Sequence, residues 1–198
     1  MATLLGSMTA PIIWINGPFG IGKTQTAQIL HERLPGSFIF DPEEMGSALK
    51  KLTPKFTGES QAHPMWIPLM LDALQFAVKQ ADGPLIVPVT IADVSRHRRM
   101  MSGLKDRGMA VRHYTLLAPA DVVQARLRRR NDHLTRWDSS EVEERLSDFR
   151  SEQFARHIEA GERSLDAIAE EIASDLGLSL RPAQNEALRW LKSLGGRR

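Results

Sequence analysis

The stretch Gly17-Pro18-Phe19-Gly20-Ile21-Gly22-Lys23-Thr24 constrains the fold of this chain more than any other part of it. It follows a short apolar run without alternation, Ile12-Ile13-Trp14-Ile15, which predicts a strand buried on both faces of a parallel sheet. It opens Lys23 to Leu34, where Ala27, Leu30 and Leu34 share a helical face and Pro35-Gly36 is the stop. Glycines let such a turn aim its backbone N–H groups inward without Cβ clashes. The helix behind it adds unsatisfied N–H groups and the positive end of its dipole. The turn is therefore an anion cradle, and the spacing G-x-x-x-x-G-K-[ST] fits the phosphates of a nucleotide, ATP in the first instance. Lys23 can reach the β- and γ-phosphates, and the Thr24 hydroxyl can ligate Mg²⁺. Gly17, Gly20, Gly22, Lys23, Thr24 and Gln25 are the candidate ATP contacts, with Thr24 the candidate metal ligand.

The rest of the chain repeats the alternation. Phe38-Ile39-Phe40 predicts a second strand that ends on Asp41, with Pro42 opening a helix to about Lys51. Thr53 to Pro64 reads as loop and Met65 to Gln80 as a long apolar helix. Leu85 to Thr90 predicts the third strand; Pro88 cannot donate to a ladder, so a bulge or an open side is expected there. Asp93 to Arg107 reads as helix, Val111 to Leu117 as the fourth strand, and Pro119 to about Arg130 as helix. A helix capped by Ser139 or Ser140 is expected to reach about Ala160, with a very short fifth strand near His157–Ile158 as an alternative. Leu165 to Leu176 reads as helix, and a last helix follows Pro182. Strands alternating with helices define an α/β fold with a parallel sheet.

At 198 residues the chain suits one domain, here 11–198, with 1–10 read as a leader outside it. The absence of cysteine excludes disulfide frameworks, thiolate metal sites and cysteine nucleophiles, and suits a cytoplasmic setting. The net charge is only +2 and the basic residues are unevenly spread, which points to a local anion site rather than a nucleic-acid binder. No apolar run approaches the roughly 20 residues of a membrane span. The 182–198 helix carries Ala187, Leu188, Leu191 and Leu194 on one stripe beside Arg189, Lys192, Arg197 and Arg198. It reads as packing on the core, with peripheral contact at the inner face of a membrane as the alternative.

Phosphoryl transfer needs positioning and charge stabilisation. Asp41, at the carboxyl end of the second strand, is the candidate base for an acceptor hydroxyl; it also suits a helix N-cap, and the two roles can coexist. Glu43 is the second acidic candidate. The third strand ends on Thr90 where many P-loop proteins carry an acid, so Thr90 is a candidate for the acceptor side or for a metal-bound water. Asp93 reads as the cap of the following helix. Arg126, Arg128, Arg129, Arg130 and Arg136 form the most basic stretch, an expected LID over about 126–145. Arg126 and Arg130 are the candidates for stabilising transferred charge, with Arg145 as a further nucleotide contact. His63 and Trp66, in the insertion between the second and third strands, are candidates for the acceptor pocket.

The segments Ile12 to Gly17, Lys23 to Ala27, Asp41-Pro42-Glu43 with Met45-Gly46, Ile86-Val87-Pro88 with Thr90-Ile91, and Arg126 to Arg130 with Trp137 resemble the tunicamycin resistance proteins over nearly the whole chain from Pro11. The resemblance implies a P-loop, nucleoside/nucleotide kinase-like fold with a five-stranded sheet in the order 2-3-1-4-5 and a LID. It implies ATP as ligand and tunicamycin as the small-molecule partner. Two readings follow: a phosphotransferase that modifies the drug, or a protein that sequesters it under ATP control. A kinase with a different acceptor is the third.

Overall fold

The computed structural model describes residues 11–129, 139–154 and 156–183. Five strands form one sheet: β1 (Ile12–Asn16), β2 (Phe38–Ile39), β3 (Leu85–Pro88), β4 (Val111–Leu117) and β5 (His157–Glu159). Their order is β2-β3-β1-β4-β5, and every pairing is parallel. All strands therefore point their carboxyl ends the same way. The chain leaves β1 for one side of the sheet and later returns to its other side, so the crevice beside β1 is a topological switch point.

Alternation along the strands divides the core into two layers. Ile13, Ile15, Ile86, Tyr114 and Leu116 face α1 (Lys23–Arg33), α5 (Ala120–Arg129), α6 (Ser139–Phe149) and α7 (Leu165–Asp175). Ile12, Trp14, Leu85 and Val87 face α2 (Pro42–Leu52), α3 (Trp66–Gln80) and α4 (Val94–Asp106). The uninterrupted apolar run of β1 is what a strand covered on both faces requires.

Pro88 is accommodated by the sheet's own geometry. Leu85 and Val89 donate to β1, through Pro11 O and Ile15 O, so by alternation the N–H positions of Ile86 and Pro88 face β2. There β2 has already ended at Ile39, and its last contact runs from Phe40 N–H to Ile86 O. The missing donor of Pro88 thus meets the open side that the sequence predicted.

One element differs from expectation. The helix from Ser139 stops at Phe149 and does not reach Ala160. Phe149 and Phe154 both turn into the core, with ring centroids 5.6 Å apart and a single 3-10 turn at Glu152–Phe154 before the second. Beyond it Arg156 exchanges backbone bonds with β4, donating to His113 O and accepting from Thr115 N–H. The free edge of β4 captures this segment as β5, the alternative at His157–Ile158. Helical periodicity carries no information about a sheet edge waiting nearby. No described helix is long and apolar enough to cross a membrane. The expected C-terminal helix, from 184 onward, lies outside the described residues.

Candidate functional site at the carboxyl edge

The loop after β1 is shaped by glycine. Gly17, Gly20 and Gly22 take φ of 140°, 76° and 107°. A Cβ on Gly17 would lie 2.7 Å from Leu116 O, so the loop's close approach to β4 admits no side chain. Gly22 is the N-cap of α1 and supplies no side chain to its first N–H groups. Those donors remain directed into the loop, as an anion site requires. Lys23 arches over this loop: its Nζ donates to Pro18 O at 2.7 Å and sits 5.7 Å from the centroid of the Phe19 ring. The Thr24 and Gln25 side chains are exposed on the first turn of α1. This loop, exposed Thr24 included, fits a nucleotide's phosphates with Mg²⁺, a cation that keeps several waters and needs few protein ligands.

Beside the loop lies a cavity of about 630 Å³. Pro18 and Phe19 bound it on the β1 side. Glu43 and Lys50 come from α2, Glu59, Ser60 and Gln61 from the 3-10 turn at Ser60–Ala62, and Thr90, Ala92, Asp93 and Arg96 from the segment after β3. Leu127 of α5 and Leu146, Asp148 and Phe149 of α6 close the far wall. Three parallel strands thus deliver their carboxyl-end loops to one space.

Two contacts hold this wall in register. Asn16, fully buried at the end of β1, donates through Nδ2 to Ile91 O at 3.0 Å and accepts through Oδ1 from Ile91 N–H at 2.9 Å. Gln61 Nε2 donates to Thr90 O at 2.8 Å. Neither residue stood out chemically in the sequence; Asn16 carried only its place beside Gly17.

The sequence candidates divide. Glu43 and Thr90 line the cavity. Asp41 caps α2, its Oδ1 accepting from Glu43 N–H at 2.8 Å, and is not itself in the wall. Its second carboxylate oxygen keeps it available beside Glu43. Asp93 caps α4, its Oδ1 accepting from Arg96 N–H at 2.5 Å, as expected. His63 stands outside the cavity: its Nδ1 accepts from Met65 N–H at 3.1 Å and its ring meets Phe56 edge-on at 4.7 Å. Trp66 requires correction as an acceptor contact. It is 2% exposed and packs in the α3 core with Met70 and Leu74, because α3 turns its apolar face to the sheet from its first residue.

Arg126 is placed otherwise than a phosphate arginine. Its guanidinium donates to Ile21 O at 3.1 Å, Ala160 O at 2.8 Å and Gly161 O at 3.0 Å. It is a strut from α5 to the glycine-rich loop and the end of β5. Arg130, Arg136 and Trp137 lie outside the described residues, and of the side chains of Arg129 and Arg145 nothing is described. Lys50, Glu59, Gln61, Arg96 and Asp148 line the cavity without having been singled out; each is a common surface residue type, and only the fold brings them together.

A parallel sheet in this order, with a glycine-rich loop joining its central strand to a helix, defines a P-loop, kinase-like α/β protein. Residues 12–156 match the family described as AAA domain. The structure of the Deinococcus radiodurans tunicamycin resistance protein is similar at 61% identity, over 87% of this chain and 99% of that one, with a TM-score of 0.81. The chain belongs to the tunicamycin resistance protein family, within that wider P-loop group. Two kinases share the fold at low identity. A gluconokinase from Sinorhizobium meliloti 1021 has 16% identity over 85% of this chain and 92% of its own, TM-score 0.59. A shikimate kinase from Acinetobacter baumannii has 19% over 85% and 94%, TM-score 0.57. No match was found among curated protein sequences.

Proposed function

We propose that this protein is an ATP-dependent phosphotransferase that inactivates tunicamycin in the cytoplasm by phosphorylating one of its hydroxyls. The observation that carries the reading is a cavity lined by Pro18 and Phe19 of the glycine-rich loop together with Glu43 and Thr90, so that a donor held by the loop and an acceptor would share one space. The drug as acceptor is supported by the resistance protein at 61% identity.

ATP is the phosphoryl donor, and Thr24 would hold Mg²⁺, which would supply charge to offset that of the phosphates. The N–H groups of Gly17 to Thr24 and the Lys23 ammonium hold the phosphates. Asp41 takes the acceptor proton through its uncommitted oxygen, while its Oδ1 keeps α2 in place. Gln25 and Arg145 contact the nucleotide, and Arg130 stabilises charge from the LID. Arg126 acts through the loop backbone that it braces. Leu127, Leu146 and Phe149 exclude water from the far wall, which limits hydrolysis.

A second reading has an observation in its favour. Asp41 is engaged as a cap and does not itself line the cavity, which suits a protein that only binds the drug under ATP control. Incubation with Mg-ATP and tunicamycin, followed by mass spectrometry of the drug, separates the two. A phosphate-sized gain that vanishes in Lys23→Ala supports the transferase. An unchanged drug retained on the protein only when ATP is present would sink it in favour of sequestration.

A further inference from the structure

We propose that Arg96 is the arginine that grips the phosphoryl group in transit, a role the sequence pattern assigns to the LID. The inference rests on the phosphotransferase reading.

Arg96 lies on the first turn of α4, half-buried in the cavity wall that Pro18 and Phe19 of the glycine-rich loop complete. An arginine is ionised at any physiological pH, so a half-buried one needs a partner. Among the described residues its guanidinium has none: no hydrogen bond or ion pair involves it. The cavity does hold carboxylates, at Glu43, Glu59, Asp93 and Asp148, yet none pairs with it. Asp93 is closest in sequence, but its Oδ1 accepts from the backbone N–H of Arg96 at 2.5 Å. That bond fixes the start of α4 and leaves the guanidinium uncommitted. The segment is anchored again one step upstream, where Asn16 holds both backbone groups of Ile91. The result is a positioned cation with unused donors, facing a space between the donor and acceptor walls.

Its counterpart in the LID is differently employed. Arg126 directs its guanidinium to three backbone carbonyls and has little left for an anion. Arg96 is therefore the described arginine of this cavity whose planar fork is free for phosphoryl oxygens. In the transfer the bond from phosphorus to the leaving oxygen of ADP breaks as the bond to the acceptor oxygen forms. The acceptor's hydroxyl proton passes to the Asp41 carboxylate. Arg96 neutralises charge on the equatorial oxygens throughout and itself exchanges no proton.

The test needs no turnover. Binding of MgADP, of MgADP with aluminium fluoride and tunicamycin together, and of tunicamycin alone is titrated for the wild type, Arg96→Gln and Arg96→Lys, with thermal unfolding as the folding control. Aluminium fluoride occupies the place of the phosphoryl group in transit. The expected result is that Arg96→Gln weakens the aluminium fluoride complex about 10- to 100-fold, the usual weight of a hydrogen bond between charged groups. MgADP and tunicamycin alone stay within about threefold, and Arg96→Lys recovers only part of the loss because it lacks the fork. If the wild type gains affinity from aluminium fluoride and Arg96→Gln gains as much, the role of Arg96 falls and the transferase stands. If the variant loses tunicamycin affinity alone, Arg96 belongs to acceptor recognition and the proposal is overturned. If the wild type gains nothing from aluminium fluoride, the transferase reading falls and takes this proposal with it.

Discussion

The two walls of the carboxyl-edge cavity are built in opposite ways. The donor wall belongs to one continuous segment, Gly17 to Thr24, which lines the cavity through Pro18 and Phe19 and whose chemistry lies mostly in its backbone. The acceptor wall gathers single residues from α2, the 3-10 turn, the segment after β3 and α6. A backbone site depends on φ angles and on what a Cβ would strike. A gathered site depends on contacts that fasten distant segments, such as Asn16 to Ile91 and Gln61 to Thr90. The difference teaches where each wall is vulnerable. Side-chain loss in the first should remove function and leave the fold, whereas loss of a contact that fastens the second should cost both together.

The largest effect that tests this contrast is Lys23→Ala. Its Nζ sits over its own loop, bonded to Pro18 O, on a half-exposed first turn. Phosphorylation of the drug should fall by about 10²–10³-fold or more, as for loss of a key charge-stabilising donor. The unfolding free energy should move by less than about 0.5 kcal/mol, as for an ordinary surface change. Mass spectrometry and urea unfolding read the two quantities. A variant that unfolds would break the idea that the donor wall is functional backbone alone.

Asp41→Asn comes next and separates the residue's two roles. Asparagine caps a helix about as well as aspartate, so the bond from Glu43 N–H survives and stability holds. The base is removed, so kcat should fall by about 10²–10⁴-fold at unchanged melting temperature. Unchanged turnover would move the proton-accepting role to Glu43, which lines the cavity directly.

Asn16→Ala should strike the acceptor wall through the fold. It leaves the N–H and C=O of fully buried Ile91 without partners, at about 1–3 kcal/mol for each group. The acceptor's KM should rise with the loss of stability, since Thr90 and Ala92, on either side of Ile91, line the cavity. Asn16→Asp should recover the bond from Ile91 N–H but not the one to its carbonyl. Equal stability of all three proteins in urea would deny the fastening role.

This contrast also explains what the sequence could disclose. The donor wall was legible because its function needs consecutive residues of fixed types. The fold was legible for a related reason: β1 announces burial on both faces through an unbroken apolar run, and Asp41-Pro42 announces a capped helix start. The acceptor wall was not, because Lys50, Glu59 and Gln61 are ordinary surface types until three strands bring their loops together. Trp66 shows the reverse error. A tryptophan near a loop looks like a ligand contact, and only the rotation of α3 reveals that it faces Trp14's side of the sheet. Arg126 sits in a basic run whose charge suggested phosphate, while its reach decided for carbonyls. The end of α6 was lost to β5 by an edge that no local window contains.

The smallest effect concerns what lies behind the acceptor wall. His113 on β4 is half-buried, its Nε2 sharing a hydrogen bond with Thr115 Oγ1 at 3.1 Å. Its ring lies 4.6 Å from that of His97 on α4, which in turn lies 4.8 Å from Phe154. His157 completes the group and bonds through Nε2 to the carbonyl of Phe149, a residue of the cavity wall. Burial, and then the neighbouring His97 and His157, push the His113 pKa down to about 3. Burial lowers that of His97 as well. The folded protein therefore holds His113 neutral where the unfolded chain, near 6.5, would take up a proton. Stability from this source is complete above about pH 6.5 and is lost as pH falls towards 3, because the unfolded state binds more protons throughout that window. The loss should be about 1 kcal/mol between pH 7 and pH 5.5 and approach about 1.4 kcal/mol for each further pH unit. Urea unfolding at several pH values should show that slope in the wild type and a shallower one in His113→Gln. Hydrogen exchange should place the first openings in α4 and the 149–154 segment, with α1 still protected. Uniform opening of α1 and α4 would mean that the two walls share one cooperative unit, and the contrast between them would then hold for chemistry but not for stability.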